Sequence, residues 1–391
     1  MTGELLLREL NDVQDEFIAQ AVPKQSVTGK SKRWRALAAC LCLILVGSFA
    51  VPHFGTGKDS SSHKLPLITL PEYTAEGLGF EGLLYYGADE IQTGNPWRSD
   101  LDSIVLPVYK NGNYDPSGAG IPVGLTKDKI KSRLESKAKA LNARILQTEI
   151  ITDGSADTEP VVTGIRAETD KGELQALADG KTIYLPSEEW SRLPEGYCFA
   201  ITGTTEEESE EALQYLADLY RDFLGFAESK TITTGDYDIK GIYNRRYYVY
   251  DGNGGPVDKI IHYAFNTAQF YPDTEGRLYS VVLNDASICA EWIGGYPWIS
   301  PEEAEDKLLA GQYQTSVPYS VSGKDAVVKV EMVYRTGPME ETLLPYYRFY
   351  VELPKAEGDA WKSGLKMYGV YYVPAIQDKY ISNYPVYEGD C

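Results

Sequence analysis

Three short stretches of this chain have the residue types and spacing of chemical sites. Residues 77–82 read GLGFEG and match the G-x-G-x-x-G pattern of dinucleotide-binding loops. Residues 136–139 match the S-x-x-K pattern of penicillin-recognising enzymes, and residues 251–255, DGNGG, begin like a calcium-binding loop. A nucleotide loop needs a strand before it and a helix after it, S-x-x-K needs companion motifs, and a calcium loop needs a carboxylate where His262 stands. We therefore predict a non-enzymatic chain without catalytic, cofactor-binding or metal-ligating residues.

Two aromatic or apolar clusters are candidates for binding a protein partner. Residues 292–298 read WIGGYPW, which places Trp292, Tyr296 and Trp298 around a predicted Gly-Gly turn. These rings either form an exposed binding tip or fill a gap between structural units, and burial is favoured because large aromatic side chains are mostly buried. Near the N-terminus, Leu6, Leu10 and Phe17 recur at helical spacing and predict a short amphipathic helix over residues 3–21.

The charge of the chain excludes one class of partner. The net charge is −20, and residues 1–35 carry six basic and five acidic side chains, so the acidic excess lies after residue 35. An acidic body repels the phosphates of nucleic acids, so we expect no nucleic-acid partner. Cys198, Cys289 and Cys391 are widely spaced and odd in number, which predicts no disulfide framework and leaves one Cys198–Cys289 bridge open.

An apolar segment near the N-terminus predicts a membrane-spanning helix. Residues 36–51 carry no charge, and a cluster of five basic residues, from Lys24 to Arg35, precedes them. The positive-inside rule then places the N-terminus in the cytoplasm and the acidic body outside, in contact with the lipid bilayer through one helix. An uncleaved signal anchor is the favoured interpretation, and Ser48-Phe49-Ala50 leaves a cleaved signal peptide open.

The remaining pattern predicts an α+β fold in which three units each place one helix before about three antiparallel strands. Helices are expected over residues 126–143 and 204–226, and from Ser300-Pro301-Glu302-Glu303 to about Gly311. Residues 145–152 and 258–270 are among the predicted strands. The predicted organisation is a cytoplasmic segment, a transmembrane helix, a linker and two parts of an ectodomain, at residues 1–35, 36–54, 55–64, 65–230 and 231–391.

Two stretches resemble known families. Residues 5–50, with Asp15-Glu16-Phe17-Ile18 before the apolar segment, resemble the head of single-pass envelope proteins of Gram-positive Clostridia, some of which are described as anti-sigma-factor-like. The stretch from Ile299-Ser300-Pro301 to Tyr371-Tyr372-Val373 is similar to the PepSY and YycI/YycH layout, in which a helix precedes antiparallel strands and a closing strand. YycI and YycH act on a membrane histidine kinase, and the resemblance implies an extracytoplasmic, non-catalytic ectodomain with a regulatory or inhibitory role. It transfers no functional residues.

These observations together predict a membrane-anchored extracytoplasmic protein that works by binding and regulates envelope signalling or a protease. The expected partner is a sensor kinase, a sigma factor or a protease. An envelope enzyme acting on peptide or cell-wall substrates, and a passive structural protein of the envelope, are the alternatives.

Overall fold

The computed structural model describes residues 64–71, 84–87, 90–101, 103, 105–117, 120–153, 160–238, 240–354 and 364–387. The chain divides into two compact units, Met1–Gly57 and Lys58–Cys391, and every described residue belongs to the second. The described part contains six α-helices: α1 (Lys127–Ala140), α2 (Glu188–Ser191), α3 (Glu206–Leu219), α4 (Arg221–Leu224), α5 (Pro256–Phe265) and α6 (Pro301–Leu309).

Fifteen strands lie between and around these helices in the described part of the chain. They are β1 (Leu84–Tyr86), β2 (Val105–Asn111), β3 (Ile145–Asp153), β4 (Val161–Thr169), β5 (Gly172–Leu177), β6 (Thr182–Pro186), β7 (Ser229–Tyr237), β8 (Tyr243–Asp251), β9 (Asn266–Pro272), β10 (Leu278–Asp285), β11 (Ala290–Pro297), β12 (Val327–Tyr334), β13 (Thr342–Leu343), β14 (Pro345–Glu352) and β15 (Lys366–Pro374).

The described strands form three antiparallel sheets. The largest has eight strands in the order β3-β4-β5-β6-β10-β9-β8-β7, the second has the order β1-β15-β14-β12, and the third has the order β11-β2-β13. In the large sheet β6 pairs with β10, with Tyr184 opposite Val281, so strands on both sides of residue 230 share one sheet. Sheets with helices on one face give an α+β architecture.

The main core lies between one face of the eight-stranded sheet and α1, α3 and α4. Ile130 and Leu134 of α1 and Leu213 and Leu216 of α3 are buried against sheet residues such as Phe270. Apolar residues three and four positions apart share a helix face, and alternate residues share a strand face, so both patterns meet in one layer. We call this the inner face of the sheet, and the opposite face, which these helices do not cover, the outer face.

One turn of the large sheet requires glycine. Gly172 begins β5 with φ +135°, and a Cβ built there would lie 2.2 Å from the carbonyl oxygen of Leu185. A side chain could therefore be accommodated only by separating β5 from β6, which pairs Gly172 with Pro186. This turn sets the geometry of the connection between β4 and β5, and β3 in turn pairs with β4.

The predicted fold class is wrong on two points. The three units of one helix and three strands are not present, because strands from the first two predicted units pair within one eight-stranded sheet. The membrane helix has no support either, since no helix among the described residues is long and apolar enough to cross a membrane. Residues 36–51, on which that prediction fell, lie outside the described residues. The description of the chain as a single-pass membrane protein is corrected accordingly.

One predicted strand is a helix. Residues 258–265 belong to α5, which begins after Gly255, and the Asp258 carboxylate accepts a hydrogen bond from the Gly255 backbone N–H at 2.9 Å. Pro256 occupies the first turn, where its missing N–H costs no hydrogen bond. The capped start and the burial of Ile260 and Phe265 favour a helix over a strand here.

Candidate functional site

A buried ionic cluster lies in the four-stranded sheet, where Glu331 of β12 stands opposite Arg348 of β14. Arg348 Nη2 donates to Glu331 Oε2 at 2.7 Å, Lys329 Nζ lies 3.0 Å from Glu331 Oε1, and the Thr93 hydroxyl donates to the same Oε1. Burial alone would raise the pKa of Glu331, but the positive charges of Arg348 and Lys329 outweigh it and hold that pKa below its ordinary value. The cluster therefore attaches the segment around Thr93 to the sheet.

A second polar cluster lies where α1 meets β6 and β10. Arg133 Nε donates to Thr182 Oγ1 at 2.9 Å, and Arg133 Nη1 donates to Asp285 Oδ2 at 3.0 Å. Nearby, burial and the charges of Asp179 and Asp285 raise the pKa of the free Cys289 thiol to about 11. A thiol with such a pKa is protonated at neutral pH and is a weak nucleophile. Cys198 is also a free thiol, so the bridge left open from the sequence is not formed.

An open depression of about 400 Å³ lies at the start of α6, between α6 and residues 377–378. Several of its polar groups already have partners: Lys307 Nζ lies 2.6 Å from Asp378 Oδ2, and Glu303 Oε2 accepts from the Ser300 N–H at 2.9 Å as part of the helix cap. Within the described residues, no group of three or more His, Cys, Asp or Glu side chains could hold a metal ion. The residues that line the depression thus contribute to the helix cap and to an ion pair.

The aromatic residues predicted as partner contacts do not come together. Trp292 is 59% exposed, whereas Tyr296 is fully buried and donates its hydroxyl to the carbonyl of Pro66 at 3.0 Å. Trp298 Nε1 donates to the carbonyl of Ser103 at 2.7 Å, and its ring stacks on Tyr347. The predicted Gly-Gly turn is instead a stretch of β11 with an irregularity between Trp292 and Gly294. Leu6, Leu10 and Phe17 lie outside the described residues.

The two edges of the eight-stranded sheet differ. At one edge, residues 90–95 lie against β7: the Thr234 hydroxyl donates to the carbonyl of Gln92 at 2.6 Å, and a Cβ on Gly94 would lie 2.7 Å from Ile232 Cγ2. At the other edge, β3 pairs with β4 and with no other described strand. The outward N–H and C=O groups of β3 therefore have no partner strand among the described residues, and we call this the β3 edge.

The side chains of β3 alternate between the two faces of the sheet. On the inner face, Ile150 stands opposite the buried Ile165 and is itself 43% exposed. On the outer face, Glu149 stands opposite Arg166, which pairs with it, and this hydrogen bond raises the pKa of the guanidinium. Leu146, at an irregularity near the start of the strand, is 57% exposed. The edge thus combines exposed apolar side chains with a charge that is already neutralised.

Comparison with known proteins gives little further information. No family model matches the chain, and no curated protein matches it. Among solved structures, an uncharacterised protein from Eubacterium rectale ATCC 33656 is similar at 12% sequence identity and a TM-score of 0.33. The match covers 70% of this chain and 84% of that one. At this level the likeness carries no argument about fold or function.

Sequence reasoning predicted the strand at β3 but missed its place at an edge. The signal was present: Gln147, Thr148 and Glu149 are three consecutive polar residues, so both faces of the strand are polar at its centre. A strand inside a sheet with a packed face alternates apolar and polar residues instead, as Ile165, Arg166 and Ala167 do in β4. Polar side chains on both faces are typical of an edge strand.

Proposed function

We propose that this chain is a non-catalytic binding protein that captures an extended segment of a partner protein by adding it as a ninth strand along the β3 edge. The observation that carries the proposal is the contrast between β7, against which residues 90–95 lie, and β3, whose outer side pairs with no described strand. In strand addition, main-chain hydrogen bonds supply affinity and alternate side chains supply specificity.

The middle of the β3 edge, residues 147–151, lacks the usual protection against such pairing. Edge strands are commonly shielded by unpaired charges, prolines, bulges or a short length. β3 is nine residues long and contains no proline, and its central charge at Glu149 is neutralised by Arg166. Its irregularities lie between Ile145 and Gln147 and between Ile151 and Thr152, so the five residues 147–151 stay regular.

The apolar residues at this edge also favour a partner strand. Ile150 continues the inner-face row that begins with Ile165, but its side chain is 43% exposed. A strand added beside β3 would place a side chain next to Ile150 and remove apolar surface from water, at about 25 cal/mol per Å². A regulatory role on a sensor kinase, a sigma factor or a protease, as the sequence resemblance implies, is part of the same proposal.

We expect a lysine at position 150 to abolish strand capture. The probe is a fluorescently labelled nine-residue peptide, STSISVSTS, titrated with the full chain and followed by fluorescence anisotropy. Wild-type protein binds it saturably, and Ile150→Lys weakens binding at least about tenfold, because a desolvated lysine replaces an apolar contact. Leu219→Lys, the same chemical change at a 54%-exposed site on α3, leaves binding unchanged.

Two results would contradict this proposal. One is an absence of saturable binding by the wild-type protein. The other is equal binding by wild-type protein and Ile150→Lys, which would place the peptide elsewhere on the chain. Circular dichroism spectra of both variants check that the fold is retained.

A further inference from the structure

The charges around the β3 edge are concentrated on one face of the sheet. Glu149 and Asp153 of β3 lie on the outer face, together with Glu168 of β4 and Glu173 of β5, which stand opposite each other. Arg166 is the cation among them; it pairs with Glu149 and lies 4.0 Å from Glu173. Asp153 and Glu168 are exposed and form no ion pair with the described residues. The outer face next to the edge therefore carries an acidic excess.

The inner face of the same edge is uncharged and partly apolar. Thr148 and Ile150 lie on it, opposite the buried Ala167 and Ile165 of β4. A strand added at the edge has one set of alternate side chains next to Thr148 and Ile150 and the other set next to the acids. The two faces of the site therefore favour different types of side chain in the same bound segment.

We infer that the captured segment alternates apolar and basic residues, with lysine or arginine on the side that faces Glu149, Asp153 and Glu168. This inference rests on the proposed function and names its partner class. Opposite charges across neighbouring strands stabilise a pair, and like charges destabilise it. The net charge of −20 adds a longer-range attraction for a basic segment.

A second copy of the chain fits this edge less well. When two β3 strands are related by a two-fold axis perpendicular to the sheet, one residue must stand directly opposite its own copy. This follows because side chains directly opposite each other share a face of the sheet. Pairing about Glu149 places that carboxylate against itself. Pairing about Thr148 avoids this contact, but it gathers the acids of both copies on one outer face. Two bodies of charge −20 also repel each other at low salt.

The experiment compares three peptides that differ only on one face. STSISVSTS, KTKIKVKTK and ETEIEVETE are titrated with the full chain at low salt, about 20 mM, and again at about 0.5 M, where charges are screened within a few Å. We expect the basic peptide to bind about tenfold more tightly than the neutral one at low salt, and the acidic peptide to bind more weakly than either. At high salt the three affinities converge.

Charge-reversal variants locate the effect. Asp153→Lys/Glu168→Lys changes the outer face beside the edge and leaves the Glu149–Arg166 pair intact, so it abolishes the preference for the basic peptide. Glu195→Lys/Glu341→Lys makes the same change in net charge at exposed positions outside the β3 edge and retains the preference. A preference that both double variants lose equally would show that only net charge matters, which would overturn the inference.

The outcomes separate the two proposals. If the neutral peptide binds at β3 and the basic peptide binds no better, strand capture stands and the charge inference fails. If none of the three peptides binds, both fail. A dimer in sedimentation velocity that Ile150→Lys dissociates would assign the edge to a second copy and overturn the inference of a basic partner.

Discussion

Replacing Arg348 with methionine is expected to lower the free energy of unfolding by about 3–5 kcal/mol at pH 7. The substitution removes the main partner of Glu331, whose side chain is 3% exposed, and leaves a buried carboxylate with Lys329 and Thr93 alone. The loss also releases the attachment of the segment around Thr93, so urea denaturation at pH 7 measures both effects together. A loss below about 1 kcal/mol would contradict a structural role for this cluster.

The same cluster predicts a dependence of stability on pH. In the folded protein the pKa of Glu331 lies below its ordinary value, so the folded state binds fewer protons at this group than the unfolded chain does. The carboxylate therefore contributes stability above the pKa of the unfolded chain, and this contribution is lost as pH falls through the lower folded pKa. Arg348→Met should flatten the corresponding slope below about pH 5.

An exposed ion pair provides the matched control for this prediction. Lys131 and Glu135 lie one turn apart on α1, with their charged atoms 3.9 Å apart and both side chains more than half exposed. Because water and salt screen such a pair, Glu135→Gln should change the free energy of unfolding by less than about 0.5 kcal/mol.

Truncating Tyr347 to alanine is expected to cost about 3–5 kcal/mol of stability. Its fully buried ring lies 5.8 Å from Trp97 and 6.4 Å from Trp298, measured between ring centroids, and its hydroxyl donates to the carbonyl of Ile299 at 2.8 Å. The truncation leaves a cavity beside two tryptophan side chains contributed by distant parts of the chain. Chemical denaturation measures the loss.

A conservative variant separates packing from hydrogen bonding at this position. Tyr347→Phe keeps the ring and removes only the hydroxyl, so it should cost about 1–2 kcal/mol, because the Ile299 carbonyl loses its donor. Tyr279→Ala, on the other hand, removes a ring that is 37% exposed on β10 and should cost less than Tyr347→Ala. Equal losses for Tyr347→Ala and Tyr347→Phe would contradict the packing argument.

Local signals in the sequence predicted several helix starts. Ser300, Pro301 and Glu303 predict the start of α6, and the structure has the reciprocal cap: Ser300 Oγ accepts from the Glu303 N–H at 3.2 Å. The start of α3 is capped in the same way by Thr205 and Glu208. Such caps involve residues three apart, so a short window of sequence contains all the information needed.

Pairing between distant strands could not be predicted in this way. β6 pairs with β10, about a hundred residues further along the chain. Tyr184 and Val281 stand opposite each other, but their apolar character alone does not identify the partner strand. Apolar residues fit many registers, and the chosen one depends on how α1 and α3 fill the inner face. The prediction of separate helix-and-sheet units failed for this reason.

The candidate site was only partly visible in the sequence for the same reason. The three polar residues at the centre of β3 mark it as an edge strand, yet only the structure shows that residues 90–95 lie against the opposite edge while no other described strand pairs with this one. Trp292, Tyr296 and Trp298 were predicted as partner contacts because they are large and close in sequence. Trp292, next to the irregularity, is exposed, whereas Tyr296 is buried and Trp298 is half-buried with its ring on Tyr347.

Hydrogen exchange of the β3 backbone, measured with and without the STSISVSTS peptide, tests strand capture most directly. About half of the N–H groups of an antiparallel edge strand point away from its neighbour and lack a partner in the sheet. At saturating peptide we predict slower exchange for amides within residues 147–151, with no change in β7, which residues 90–95 already cover. Unchanged exchange in β3 at saturation, or protection confined to other strands such as β11, would contradict the proposal.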